Sequence, residues 1–160
     1  MFFISDLYTS FFKLGHSPRA PGTCGSIGAV LLYFLIALFL PTSVSFQLTI
    51  LSLAVIFFIL GLPTTTVVIR STQKDDPQEV VIDEVVGQFI TLLPLTQVQA
   101  TESPWLLFIG LALFRLFDIT KVLGIKKVES LHGALGVMAD DVLAGVYGAI
   151  CFAAILYWGF

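Results

Sequence analysis

Three acidic groups in this chain stand at the ends of apolar stretches: Asp83-Glu84, Asp118 and Asp140-Asp141. Carboxylates brought together from separate segments supply the hard oxygen ligands that Mg²⁺ takes, with water and a substrate phosphate completing the shell. Neighbouring residues on a helix point about 100° apart. The spacing therefore predicts one member of each adjacent pair on an ion and the other behind it or on a nearby cation, and leaves open which is which. Arg115 lies three residues before Asp118 and Lys121 three after it. A planar guanidinium and a compact ammonium flanking a carboxylate suit a phosphate held beside a metal. The same spacing also serves ordinary intrahelical ion pairs, worth about a few tenths of a kcal/mol.

A fourth polar element precedes the first long apolar segment, in residues 19–26 (RAPGTCGS). Free N–H groups and the dipole at a helix start attract anions, and glycines let a phosphate approach the backbone. Arg19, Thr23, Gly25 and Ser26 are the substrate-binding candidates here, with Thr23 or Ser26 able to cap the helix. No Gly-Lys-Ser/Thr follows, so this is not a P-loop. Gly136, Asp140, Asp141, Ala144, Gly145 and Gly148 form a small-residue stripe suited to close helix packing. His16 and His132 fall in loops and read as ordinary surface histidines. Cys24 and Cys151 have no paired spacing, which points away from a disulfide or zinc site.

The elements that must position these groups are those of a membrane protein. Of 160 residues, 57% are hydrophobic and 12% charged, where a soluble domain carries roughly 25% charge. A net charge of −3 offers no basic surface for nucleic acid. No charged residue lies between Arg19 and Arg70 or after Asp141. A spanning helix needs about 20 residues, so residues 20–69 read as a helical hairpin broken at 41–45, its second arm composed of 46–62 and 67–69. Segments 85–95 and 105–117 are short, bounding a turn with Glu102, and cross only with help from neighbours or re-enter. Residues 142–160 cross once, with Tyr157 and Trp158 at the far interface. Residues 2–14 read as an amphipathic helix, either lying in the headgroup layer or packed on the bundle, with Ile4, Leu7, Tyr8, Phe11 and Phe12 on one side and Ser5, Asp6, Thr9, Ser10 and Lys13 on the other. No signal-peptide pattern opens the chain.

The expected fold is all-α: a single compact polytopic membrane bundle of about four to five membrane-embedded helices plus the N-terminal amphipathic helix. With the N-terminus in the cytoplasm, all eight basic residues fall on or near the cytoplasmic side, as the positive-inside rule requires. Acidic residues contribute little to orientation, so their gathering on the same side calls for another reason.

Four blocks, residues 17–26 (SPRAPGTCGS), 81–87 (VIDEVVG), 114–121 (FRLFDITK) and His132-Gly133 with 138–145 (MADDVLAG), resemble in order the motifs of the phosphatidylglycerophosphatase A family. The resemblance covers nearly the whole chain. It implies an Mg²⁺-dependent lipid phosphatase of the bacterial inner membrane, converting phosphatidylglycerophosphate to phosphatidylglycerol and phosphate at the cytoplasmic face. It also implies Asp83, Glu84, Asp118, Asp140 and Asp141 as metal-binding carboxylates, with Thr23, Ser26, Arg115 and Lys121 as their polar partners. The chain departs from the family in lacking a proline-rich stretch at 122–125 and in having Gly133-Ala134 where paired glycines are usual. A thiolate phosphatase is disfavoured, because neither cysteine begins a Cys-x5-Arg sequence. The competing classes are a small transporter or channel subunit, which would place ionisable groups at mid-helix, and a phosphoalcohol transferase, whose aspartate-rich signature is absent.

Overall fold

A computed structural model describes residues 2–40, 42–122, 124–131 and 133–159, so His132 lies outside the described residues. The chain is all-α, as expected. The helices are α1 (Phe2–Thr9), α2 (Pro21–Phe39), α3 (Ser43–Thr72), α4 (Ile82–Leu92), α5 (Gln97–Glu102), α6 (Trp105–Thr120), α7 (Ile125–Glu129) and α8 (Ala134–Gly159), with a 3-10 turn at Leu14–His16. Three of them, α2, α3 and α8, are long and apolar enough to cross a membrane.

The hairpin between residues 20 and 69 forms, with one difference. Its second arm is a single helix that passes through Pro63. Proline removes an N–H from the ladder and disturbs the preceding turn, and nearby threonine hydroxyls donate to carbonyls there: Thr64 to Leu60 at 2.7 Å and Thr66 to Leu62 at 2.8 Å. Thr42 starts this helix by accepting from the Ser45 N–H, and Gln73 ends it in a left-handed conformation. The expected turn around Glu102 is instead the short helix α5, opened by a Thr96–Gln99 capping box. Tyr157 and Trp158 are exposed at the far end of α8.

Helix α4 is the centre of the molecule and packs against α2, α3, α6 and α8. Its 11 residues rise about 16 Å, too little to cross a bilayer. Such a helix survives at membrane depth only if its open end is satisfied by protein. The Tyr33 hydroxyl of α2 lies within hydrogen-bonding distance of the Leu92 and Leu95 carbonyls, at 3.0 and 2.7 Å, and Gln47 of α3 donates to that of Leu93. The small-residue stripe does what its composition predicts. A Cβ on Gly145 would lie 2.5 Å from the Gly87 carbonyl oxygen, so only glycine allows α8 to come this close to α4, and the Thr91 hydroxyl then donates to Gly145 O at 3.2 Å.

The N-terminal segment departs most from expectation. The α-helix stops at Thr9, and Phe11, Phe12 and Lys13 adopt left-handed conformations. Ser5, Asp6, Thr9 and Ser10, the polar side, are buried, whereas Phe3, Ile4 and Phe12 face outward. In a lipid setting the outward face is the apolar one, and inward polar groups need partners. Asp6 receives them from Lys13 and from His16, the latter at 2.9 Å. Burial works to raise the Asp6 carboxyl, and its hydrogen bonds to Lys13 and His16 outweigh that and hold it below its usual value. His16 is thus a partner of a buried acid as well as a loop residue. The segment reaches α4 directly: the Val81 N–H donates to Thr9 O at 2.8 Å.

Candidate active site

The start of α2, the start of α4, the end of α6 and the first turns of α8 enclose a cavity of about 660 Å³. Asp83, Glu84, Arg115, Asp118, Lys121, Asp140 and Asp141 all line it, so the fold brings together every carboxylate and cation proposed from the helix-end motifs. The three carboxylate groups arrive on three different helices. Asp83 and Glu84 occupy the first turn of α4, Asp118 and Arg115 the last turns of α6, and Asp140 and Asp141 the second turn of α8.

Within the cavity, Asp83, Glu84 and Asp141 form a group whose oxygen atoms lie within 4.8 Å of one another. On α8, Asp141 joins the group while Asp140 pairs with Lys121. On α4, both acids belong to it. Here the longer Glu84 side chain lets its carboxylate reach the same point as that of Asp83, and Asp83 Oδ1 additionally accepts the Glu84 N–H at 3.0 Å. Arg115 Nη1 lies 2.6 Å from Asp118 Oδ2, and Lys121 Nζ lies 3.6 Å from Asp118 Oδ1. The intrahelical ion pairs and the cation-lined cavity are therefore the same structure.

The electrostatics are unbalanced. Two cations, Arg115 and Lys121, face five helix-end carboxylates, and Asp75 and Asp76 add more acid to the lining. Burial, followed by the neighbouring Glu84 charge, pushes the Asp83 carboxyl well above its usual value. Burial raises that of Glu84 to about 8, against a hydrogen bond with Asp83 and with help from the Asp141 and Asp118 charges. Burial works against the charge on Lys121, but its Asp140 hydrogen bond and the surrounding carboxylates outweigh it and hold the ammonium above its usual value. Glu84 Oε2 is buried with no hydrogen-bond partner among the described residues. Three converging carboxylates with an unsatisfied oxygen are a donor set that fits a hard divalent cation.

The glycine-rich segment takes part differently from expectation. Helix α2 begins at Pro21, and its N-cap Ala20 has a left-handed backbone and makes no side-chain cap. Thr23 and Ser26 are consequently inside the helix rather than capping it, and Ser26 donates to Gly22 O at 3.0 Å. Pro18, Ala20, Pro21 and Gly22 line the cavity, whereas Arg19, Thr23, Gly25 and Ser26 do not. Gly25 instead packs on Val81, ahead of the α4 carboxylates, and Arg19 is exposed. Gly22 is the residue the motif reading missed. A Cβ there would collide with Glu84 Oε1 and stand 3.2 Å from Arg115 Nη1, so any side chain at this position would displace the Glu84 carboxylate. The signal was present in the Pro-Gly pair at the helix start.

The family described as phosphatidylglycerophosphatase A matches residues 7–156. A Bacteroides thetaiotaomicron protein provisionally named a phosphatidylinositol-3-phosphatase is 38% identical over 94% of this chain and 92% of its own length. Proteins named phosphatidylglycerophosphatase A from Haemophilus influenzae and Escherichia coli are 34% and 35% identical, each over 92% of this chain and over 85% and 78% of their own lengths. No solved structure gives a significant match. With a family match across nearly its full length and its acidic motifs meeting in one cavity, the chain belongs to the phosphatidylglycerophosphatase A family of phosphoric monoester hydrolases.

Proposed function

We propose that the protein removes the terminal phosphate of phosphatidylglycerophosphate, giving phosphatidylglycerol and phosphate, in an Mg²⁺-dependent reaction at the cytoplasmic face of a bacterial inner membrane. The observation that carries this reading is the grouping of Asp83, Glu84 and Asp141 within 4.8 Å, in one cavity with Arg115 and Lys121. The substrate follows from the family and from the names of two bacterial relatives. The orientation follows from the positive-inside distribution of the basic residues.

Asp83, Glu84 and Asp141 hold the cation, with Asp118 and Asp140 available to its outer shell. When bound, Mg²⁺ supplies charge neutralisation at the phosphoryl oxygens and an oriented water. Arg115 and Lys121 bind the remaining phosphoryl oxygens and stabilise the charge that builds there in the transition state. Asp118 and Asp140 hold these two side chains in place before substrate arrives. A carboxylate of the cluster accepts the proton of the attacking water. The new P–O bond forms as the bond to the glycerol oxygen breaks, that oxygen takes up the proton held by the carboxylate, and inorganic phosphate is released.

The experiment is phosphate release by the purified protein in detergent from phosphatidylglycerophosphate, phosphatidylinositol 3-phosphate and phosphatidic acid, with Mg²⁺ or with chelator. Release from phosphatidylglycerophosphate that requires Mg²⁺ is expected. Chelator-insensitive release overturns the metal role, and preference for phosphatidylinositol 3-phosphate, the activity in the Bacteroides relative's name, overturns the substrate.

A further inference from the structure

A second cavity, of about 520 Å³, lies between the C-terminal half of α3 and the start of α8. Gly133 lines both cavities, so the two adjoin at that residue. On the α3 side the second is lined by Leu62, Pro63, Thr66, Ile69 and Arg70, positions that recur at helical spacing and share one face. From Leu62 to Arg70 the helix climbs about 12 Å, and the lining changes from apolar residues to a single cation. Arg70 stands in the last turn of α3, exposed, and its guanidinium makes no ion pair or hydrogen bond among the described residues. The contrast with Arg115 and Lys121 is sharp, since both of those are tied to carboxylates.

A groove that runs from apolar wall to unpaired cation has the polarity of a phospholipid, acyl chain first and phosphate after. Phosphatidylglycerophosphate carries two phosphorus centres: the terminal monoester, and the diester that joins glycerol headgroup to diacylglycerol. The carboxylate cavity accommodates the first and leaves the second, with its single negative charge, to be placed elsewhere.

We propose that the groove between α3 and α8 is the subsite for the substrate's diester phosphate and an adjoining acyl chain, with Arg70 recognising the diester. The assignment rests on the reading of the protein as a lipid phosphomonoesterase. It makes the enzyme selective for lipids with separate monoester and diester phosphates. Phosphatidic acid, whose monoester sits directly on diacylglycerol, cannot fill both sites, whereas phosphatidylinositol 3-phosphate can.

Two measurements on the full-length protein in detergent or nanodiscs test this. Arg70→Gln alters an exposed side chain and is expected to raise KM for phosphatidylglycerophosphate about tenfold, the worth of one charge-assisted hydrogen bond, with kcat held within about twofold. Arg70→Lys restores part of the affinity. The second readout needs no turnover: phosphatidylglycerol with a photoactivatable acyl chain labels groove residues such as Ile69 and Leu135, unlabelled phosphatidylglycerol competes, diacylglycerol does not, and Arg70→Gln reduces the yield. Unchanged KM in Arg70→Gln, or labelling indifferent to Arg70 and displaced equally by diacylglycerol, overturns the subsite. If the wild-type protein does not cleave phosphatidylglycerophosphate, that failure belongs to the proposed substrate, and the labelling alone decides the groove.

Discussion

Asp6 and the carboxylate cavity are both buried acidic sites, but only one of them is neutralised. Asp6 is 5% exposed and contacts the Lys13 ammonium and the His16 imidazole. In the cavity Asp83, Asp140 and Asp141 are as deeply buried, yet five carboxylates share Arg115 and Lys121. Burying charge is costly unless it is paired. The Asp6 arrangement meets that cost within the N-terminal segment itself. The cavity leaves a negative excess that a divalent cation would complete, which is the mark of a site built to bind something.

Substitutions separate the two sites by the sign of their effects. The largest change is expected for Asp83→Asn and Asp141→Asn, which should lower kcat/KM on the order of a thousandfold or more, the scale of several kcal/mol of lost charge stabilisation. The same variants should melt no lower than wild type without metal, because each removes a repelled charge. A clear fall in melting temperature would mean that the cluster is a structural network like that of Asp6. Next, Arg115→Gln should cost roughly a hundredfold in kcat, since Asp118 keeps Lys121 while the phosphoryl group loses its planar partner. A change in KM alone would reassign Arg115 to ground-state binding.

Asp6→Asn should do the opposite of the cavity variants, destabilising the protein by about 1–3 kcal/mol while kcat of the folded fraction stays close to wild type. Urea unfolding and activity measured on one preparation make that comparison. The smallest effects concern pH. Asp6 has a depressed folded value, so its contribution is complete above its usual value of about 3.8 and is lost as pH falls through the lower folded value. Wild type should therefore lose stability in that acid range more steeply than Asp6→Asn. In the cavity the Glu84 carboxyl is raised to about 8, and ligands must be deprotonated to bind metal. Mg²⁺ affinity should accordingly climb with pH up to about that value, and calorimetry showing a flat profile would remove Glu84 from the ligand set.

The helices were legible in the sequence because membrane spans depend on long uncharged apolar runs, and α2, α3 and α8 follow from composition. The site was legible to the level of Asp83, Glu84, Asp118, Asp140, Asp141, Arg115 and Lys121, since ionisable groups at membrane depth are costly and gather at helix ends. The orientation of the N-terminal segment is not legible in the sequence, because amphipathicity alone does not say which face lipid takes. Thr23 and Ser26 read as caps ahead of the helix because Pro21-Gly22 has the look of a turn, whereas Pro21 occupies the first helical position, where its missing N–H costs nothing.

By itself the sequence determined an all-helical membrane chain with its acids and bases segregated to helix ends, because the cost of charge in hydrocarbon acts residue by residue. Tertiary structure decided which oxygen meets which. Gly145 against Gly87 sets how closely α8 approaches α4, and that contact turns Asp141 toward Asp83 and Glu84 while Asp140 goes to Lys121. Gly22 leaves room beside α2 for the Glu84 carboxylate. These choices depend on helix rotation and separation to within an ångström, quantities that arise only when distant segments pack.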